Sequence, residues 1–168
     1  MIEAGLILQE AAAIYDDLNA HHVQSYGPDA RGHSARSEVI ISDGAIDYPK
    51  APQLDAVVFT TQEALERYSA DQKPKAIVIV DAEVHVNERP GEASVYALDL
   101  LKTADAQGRD GLAHAVALGA LAKLCPVVSR TALESALKDH VPRGGEDVYL
   151  AAFDAGYKLG EAAQPQEF

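Results

Sequence analysis

Cysteine is nearly absent: Cys125 stands alone. It cannot close an internal disulfide, so the expected setting is a reducing cytoplasm. Nor can one thiol hold an iron–sulfur cluster or a thiolate zinc site. Basic residues are scarce too. Fourteen Lys and Arg against 26 Asp and Glu leave a formal net charge of -12. That balance excludes the basic stripe of a nucleic-acid binder. No apolar run reaches membrane-span length, and Met1 is not followed by the basic start and cleavage site of a secretory signal. The histidines are scattered apart from His21-His22. Neighbours on a strand point to opposite faces, so that pair does not converge on a metal and no metal site is expected.

What remains is an ordinary globular chain of 168 residues, expected to form one domain over 1–168. Ile7, Ala11, Ile14 and Leu18 recur at helical spacing and predict an opening helix with one buried face. "AHHVQS" and "SEVIIS" read as strands, and "DGAIDYPKAP" as the turn after the second. "LDAVVFTT" and "KPKAIVIVD" are near-continuous apolar runs, as in parallel strands covered on both faces. Between them Thr60 and Glu63 have the spacing of a capping box, which predicts a helix start. Strand–helix–strand order makes the class α/β. "ASVYALDLL" should begin as a strand and pass into a helix. "LAHAVALGALAKL" is apolar almost all round and should be buried, "SRTALESALKDHV" and "EDVYLAAFDAGYKLG" are further helices, and "EAAQPQEF" should fray.

One stretch departs from this regularity. "QSYGPDARGHSARS", Gln24 to Ser37, has no periodic apolar pattern that could make a crossover helix, so its flanking strands should be antiparallel or lie on different edges. Its chemistry suits a phosphate-bearing ligand. Gly27 and Gly32 let backbone N–H groups turn toward an anion. Arg31 and Arg36 supply forked donors, Ser25, Ser34 and Ser37 small ones, and Tyr26 a ring to stack on a base. The loop should share the carboxyl edge of the sheet with Thr60, Thr61, Gln62 and Asp81, the edge where α/β sheets bind ligands. A plainer reading stands beside it: a Gly-Pro turn whose arginines are solvated or paired with Asp29 and Glu38. Ser25 as a nucleophile is weaker, because no G-x-S-x-G elbow surrounds it and His21 and His22 lack an orienting partner.

"QSYGPDARGHSARSEVIISDGAIDYP" closely resembles the central motif of the gamma subunit of 2-oxoacid:ferredoxin oxidoreductases, and the likeness continues through "TTQEALERY", "HAVALGALAKL" and "LAAFDAGYKLG". It covers nearly the whole chain and looks most like the 2-oxoglutarate type. The resemblance implies a single pyruvate/ketoisovalerate oxidoreductase gamma-type domain. Its expected fold is a Rossmann-like three-layer sandwich with a mostly parallel sheet and a helical C-terminal part. It implies no activity alone. Alpha, beta and, where present, delta subunits would be the partners. They would hold thiamine diphosphate and the iron–sulfur clusters and pass electrons to ferredoxin. Coenzyme A would be a co-substrate, approached by Ser25, Tyr26, Gly27, Arg31, Gly32 and Arg36.

Three departures accompany the likeness. The family usually opens with a strand and a Gly-rich turn before its first helix, and Met1 falls where that turn should end. The front of the domain is therefore expected to be missing. His33 and Ala35 replace a glycine and a serine common in the loop, and His114 replaces a common asparagine. Two alternatives to the coenzyme A reading are a stand-alone Rossmann-like nucleotide-, coenzyme A- or acyl-carrier-sensing module and a purely structural docking subunit.

Overall fold

The computed structural model describes residues 1–26, 35–48, 50–109 and 111–168. Helix α1 (Ile2–Glu10) runs into a π-helical turn, Ala11–Tyr15. Strands β1 (Asn19–Tyr26) and β2 (Ala35–Ser42) form an antiparallel ribbon, one of the two arrangements the sequence left open. Strand β3 (Leu54–Phe59), helix α2 (Gln62–Tyr68), a short 3-10 turn (Ser69–Asp71) and β4 (Gln72–Asp81) follow. Strand β5 (Ser94–Leu98) then leads into α3 (Leu100–Asp105), α4 (Ala113–Leu124), α5 (Arg130–His140) and α6 (Glu146–Ala162). The α/β class and the parallel sheet are therefore as expected. Among the described residues, however, the strands form two sheets: β1–β2, and a parallel β3–β4–β5 with β4 central.

Alternation along β4 creates two cores. Val78 and Val80 join Phe59, Leu65, Val84 and Val95 on the side covered by α2. Ile79 faces the other way, into the larger core built with α1, α4, α5 and α6. Each of these three β4 residues is wholly buried. A strand apolar on both faces has found two covers, the arrangement its composition called for.

The opening helix departs from expectation. Ile7 and Ala11 are buried, but Ile14 is 70% exposed. The N–H of Asp16 donates to the Ala11 carbonyl, five residues back, at 3.1 Å. A π-turn widens the coil and rotates later residues off the 3.6-residue stripe. The expected capping box gives way to a simple cap one residue on: Thr61, not Thr60, caps α2, its hydroxyl accepting from the Ala64 N–H at 3.3 Å, which leaves Glu63 outside the N3 position a capping box needs. The tail is tied rather than frayed at Gln166, whose N–H donates to the Val95 carbonyl at 2.7 Å on the β5 edge.

Helices α4 and α6 pack so closely that glycines form the contact. A methyl group on Gly156 would collide with the Val116 carbonyl oxygen, and one on Gly119 with the Phe153 carbonyl oxygen. Backbone cannot yield as a flexible side chain does, so overpacking here is costly. Gly156→Ala should lower the unfolding free energy by about 2–3 kcal/mol despite the better helix propensity of alanine. Urea denaturation checks this; a neutral or stabilising effect would refute the close contact.

Candidate functional site

Residues directly opposite on an antiparallel pair share a face. On the ribbon, Ser25 is opposite Arg36, Val23 opposite Glu38, and His22 opposite Val39. Ser25, Arg36 and Glu38 therefore lie on one face. His22 and Ser37 lie on the other, against α1. There His22 Nε2 and Ser37 Oγ share a hydrogen bond of 2.7 Å. A serine–histidine contact of this length invites a nucleophile reading. Gly5 of α1 excludes it, because a Cβ on Gly5 would run into both side chains. Burial, and next His21, lowers the His22 pKa. The pair is a packed joint under a helix. Ser25 is on the opposite face from His22, so those two form no dyad.

Arg36 is held firmly. Its Nε donates to Glu38 Oε1 at 2.6 Å and its Nη1 to Asp71 Oδ2 at 2.5 Å. The guanidinium carbon lies 4.9 Å from the centroid of the Tyr68 ring, within cation–π range. The pairing with Glu38 is the one the plainer reading of the loop named. Asp71 and Tyr68 were invisible in the sequence, since nothing local marks a partner 35 residues away. Of the other expected site residues, Tyr26 ends β1 opposite Ala35. Gly27, Arg31 and Gly32, together with His33 and Ser34, lie outside the described residues.

The common edge expected for the site is not what the structure shows. Arg36 meets Asp71, immediately before the first residue of β4, whereas Asp81 is its last. Gln72 pairs with Leu54 and Val80 with Phe59, five residue steps apart on β3, so these points are separated by on the order of 15–20 Å at about 3.3 Å per residue. Thr60, Thr61 and Gln62 lie between the end of β3 and the start of α2, near the Asp81 edge. The ribbon's Ser25–Arg36 end therefore stands at the amino edge of the parallel sheet, away from them. An antiparallel ribbon outside the parallel sheet need not share that sheet's polarity, so the carboxyl-edge rule for parallel strands does not extend to it.

The residues at the carboxyl edge have structural partners. Asp81, 3% exposed, accepts from the N–H groups of Glu83 at 3.1 Å and Leu101 at 2.9 Å. It thereby braces a turn and the start of α3. Gln62 exchanges two bonds with the backbone of His85: its Oε1 accepts at 2.9 Å and its Nε2 donates at 3.3 Å. Cys125 is partly buried, and burial, then Asp55, pushes its thiol pKa up, the reverse of an activated thiolate. Among the described residues no group of three His, Cys, Asp or Glu could hold a metal, and no helix is long and apolar enough to cross a membrane.

With this geometry in place, the comparisons decide the family. The Pyruvate ferredoxin/flavodoxin oxidoreductase family matches residues 1–159. The chain belongs to that family. The 2-oxoglutarate synthase subunit KorC of Methanocaldococcus jannaschii is 39% identical over 164 residues, covering 96% of this chain and 88% of that protein. Among solved structures, the keto/oxoacid ferredoxin oxidoreductase gamma subunit from Geobacter sulfurreducens aligns with a TM-score of 0.84 at 42% identity, covering 96% of this chain and 91% of that one. The fold also recurs in the 2-oxoglutarate:ferredoxin oxidoreductase from Magnetococcus marinus, with 2-oxoglutarate, coenzyme A and succinyl-CoA bound. That match has a TM-score of 0.87 at 23% identity and covers 99% of this chain but 30% of that one. The present chain is thus a gamma-type member of a 2-oxoacid:ferredoxin oxidoreductase family, as the loop motif suggested.

His114, the departure on α4, stands between α1 and α6. It is 6% exposed, its ring centroid 5.6 Å from that of Tyr149 on α6 and its Nδ1 3.6 Å from Glu3 Oε2 on α1. Burial lowers its pKa below the ordinary 6.5, against a smaller opposing pull from Glu3. The unfolded chain then binds a proton that the folded chain resists, so stability falls as pH drops below about 6.5 toward the folded pKa. Replacing His114 with Asn should flatten that slope between about pH 7 and pH 5, where an ordinary histidine titrates. Urea midpoints at several pH values test this, and an equally steep slope in the variant would rule His114 out as its source.

Proposed function

We propose that this chain is the gamma subunit of a cytoplasmic 2-oxoglutarate:ferredoxin oxidoreductase. In this reading its β1–β2 turn helps hold coenzyme A during oxidative decarboxylation of the 2-oxoacid to an acyl-CoA. The match to relatives named for 2-oxoglutarate, over nearly their whole length, carries the reading. Ser25, Tyr26, Gly27, Arg31, Gly32 and Arg36 form the coenzyme A–facing group. Coenzyme A presents a pyrophosphate and a ribose phosphate, to which a forked donor such as Arg31 is complementary, while the guanidinium of Arg36 is already engaged by Glu38 and Asp71. The described residues supply no cluster of thiolates and no metal-ligand set. Thiamine diphosphate and iron–sulfur clusters accordingly belong, in this reading, to alpha and beta partners, and to delta where present, with ferredoxin as electron acceptor.

Arg36, held by two carboxylates, gives the docking alternative a foothold, since a committed guanidinium can brace a surface as well as bind a ligand. The two readings diverge in a reconstituted complex. Arg31→Gln should raise the KM for coenzyme A on the order of 10- to 100-fold, the loss expected for a charge-assisted hydrogen bond, with the complex still assembled. Steady-state assays with 2-oxoglutarate and an artificial electron acceptor read the constant, and size-exclusion chromatography reads assembly. Loss of assembly with no change in KM would favour docking.

A further inference from the structure

The ribbon and the parallel sheet are separate sheets, and among the described residues no ladder hydrogen bond joins them. Helix α1 covers one face of the ribbon, at Gly5. On the other face Arg36 reaches across to the parallel half of the molecule. Its partners come from three places: Glu38 from the ribbon, Tyr68 from the end of α2, and Asp71 from the turn into β4. Tyr68 is itself packed on the core beneath α2, so this is a firm landing point. Arg36 is mostly buried, at 21% side-chain exposure, and Glu38 at 19%. A planar fork held by two carboxylates over a ring is fixed in direction as well as position. A phosphate approaching that guanidinium would meet two carboxylates already in place. The site is poor for an anion and good for a joint.

We propose that Arg36 is a positioning residue rather than a phosphate ligand. It pins the β1–β2 ribbon to the amino edge of the parallel sheet and so sets where Ser25, directly opposite it, stands toward coenzyme A. The proposal rests on the coenzyme A reading for its consequence, while the pin itself rests on the contacts of Arg36.

Asp71 separates the two roles, because it lies off the ribbon. In the assembled complex, Asp71→Asn should raise the KM for coenzyme A about three- to tenfold with kcat unchanged, as for loss of a partly buried ion pair. Asp71→Glu, which keeps the carboxylate, should stay near the parent value. The double variant Arg36→Gln/Asp71→Asn should be no worse than Arg36→Gln alone, since a shared interaction is lost once. If Arg36 binds phosphate directly, Asp71→Asn would leave the KM unchanged or lower it while Arg31→Gln raises it, and that combination would overturn the proposal.

Amide hydrogen exchange on β1 and β2 in the same complexes provides a readout independent of coenzyme A. The pin predicts faster exchange at the Ser25–Arg36 end in Asp71→Asn; unchanged exchange would sink it. Should exchange quicken while the KM holds in both Asp71→Asn and Arg31→Gln, the pin stands and the coenzyme A reading fails.

Discussion

The carboxyl half of strand β4 has no wet face, and the rest of the molecule is arranged to satisfy it. From Val78 to Val80 it is wholly buried. Its backbone groups are satisfied by β3 on one side and β5 on the other, in parallel register. Both faces then need apolar cover, because each unburied valine or isoleucine forgoes about 1.5–3 kcal/mol. Helix α2 supplies one cover and the helical layer around α4 the other. Two cores on either side of one strand follow from this requirement.

The larger cover is itself built around close approach. Helix α4 is buried on almost every side, so it cannot end the structure and must in turn be enclosed. Helix α6 encloses it where Gly119 and Gly156 let the backbones meet. Such contact gives dense packing at the expense of tolerance: volume added at either glycine has nowhere to go. The surface of the same helical layer is stitched by polar contacts of smaller consequence. Arg130 bridges Glu134 and Asp154, and Asp16 accepts from both the N–H and the hydroxyl of Ser129 at the start of α5. Exposed pairs of this kind each contribute little beside the core.

The ribbon stands apart from this architecture. It is not a rung of the parallel sheet, and its residues are mostly half-buried rather than enclosed. An element held this way depends on a few specific side chains: His22 and Ser37 under Gly5 on one face, Arg36 over Tyr68 and Asp71 on the other. Its frame combines those directional contacts with the packing of Ala20 and Ile41 on the larger core.

Local pattern determined much of this. Period-two and continuous apolar runs located the strands, and the 3.6-residue rhythm located the later helices. The absence of a crossover pattern between Gln24 and Ser37 spoke against a parallel pairing of β1 with β2, and a long motif placed the family. What failed did so where through-space geometry took over. Ile14 left the buried stripe because a π-turn changed the phase of the coil, and the helix cap settled on Thr61 because backbone geometry selected one of two adjacent threonines. Gln166 found a sheet edge that its tail composition did not advertise. The candidate site divided in the same way. Ser25 and Arg36 were legible as residue types suited to an anion, yet only the tertiary structure set Asp71 and Tyr68 against Arg36 and placed that end of the ribbon away from Asp81. Residue chemistry is written locally, whereas the charges and edges it will face depend on how separate sheets pack, which no local pattern encodes.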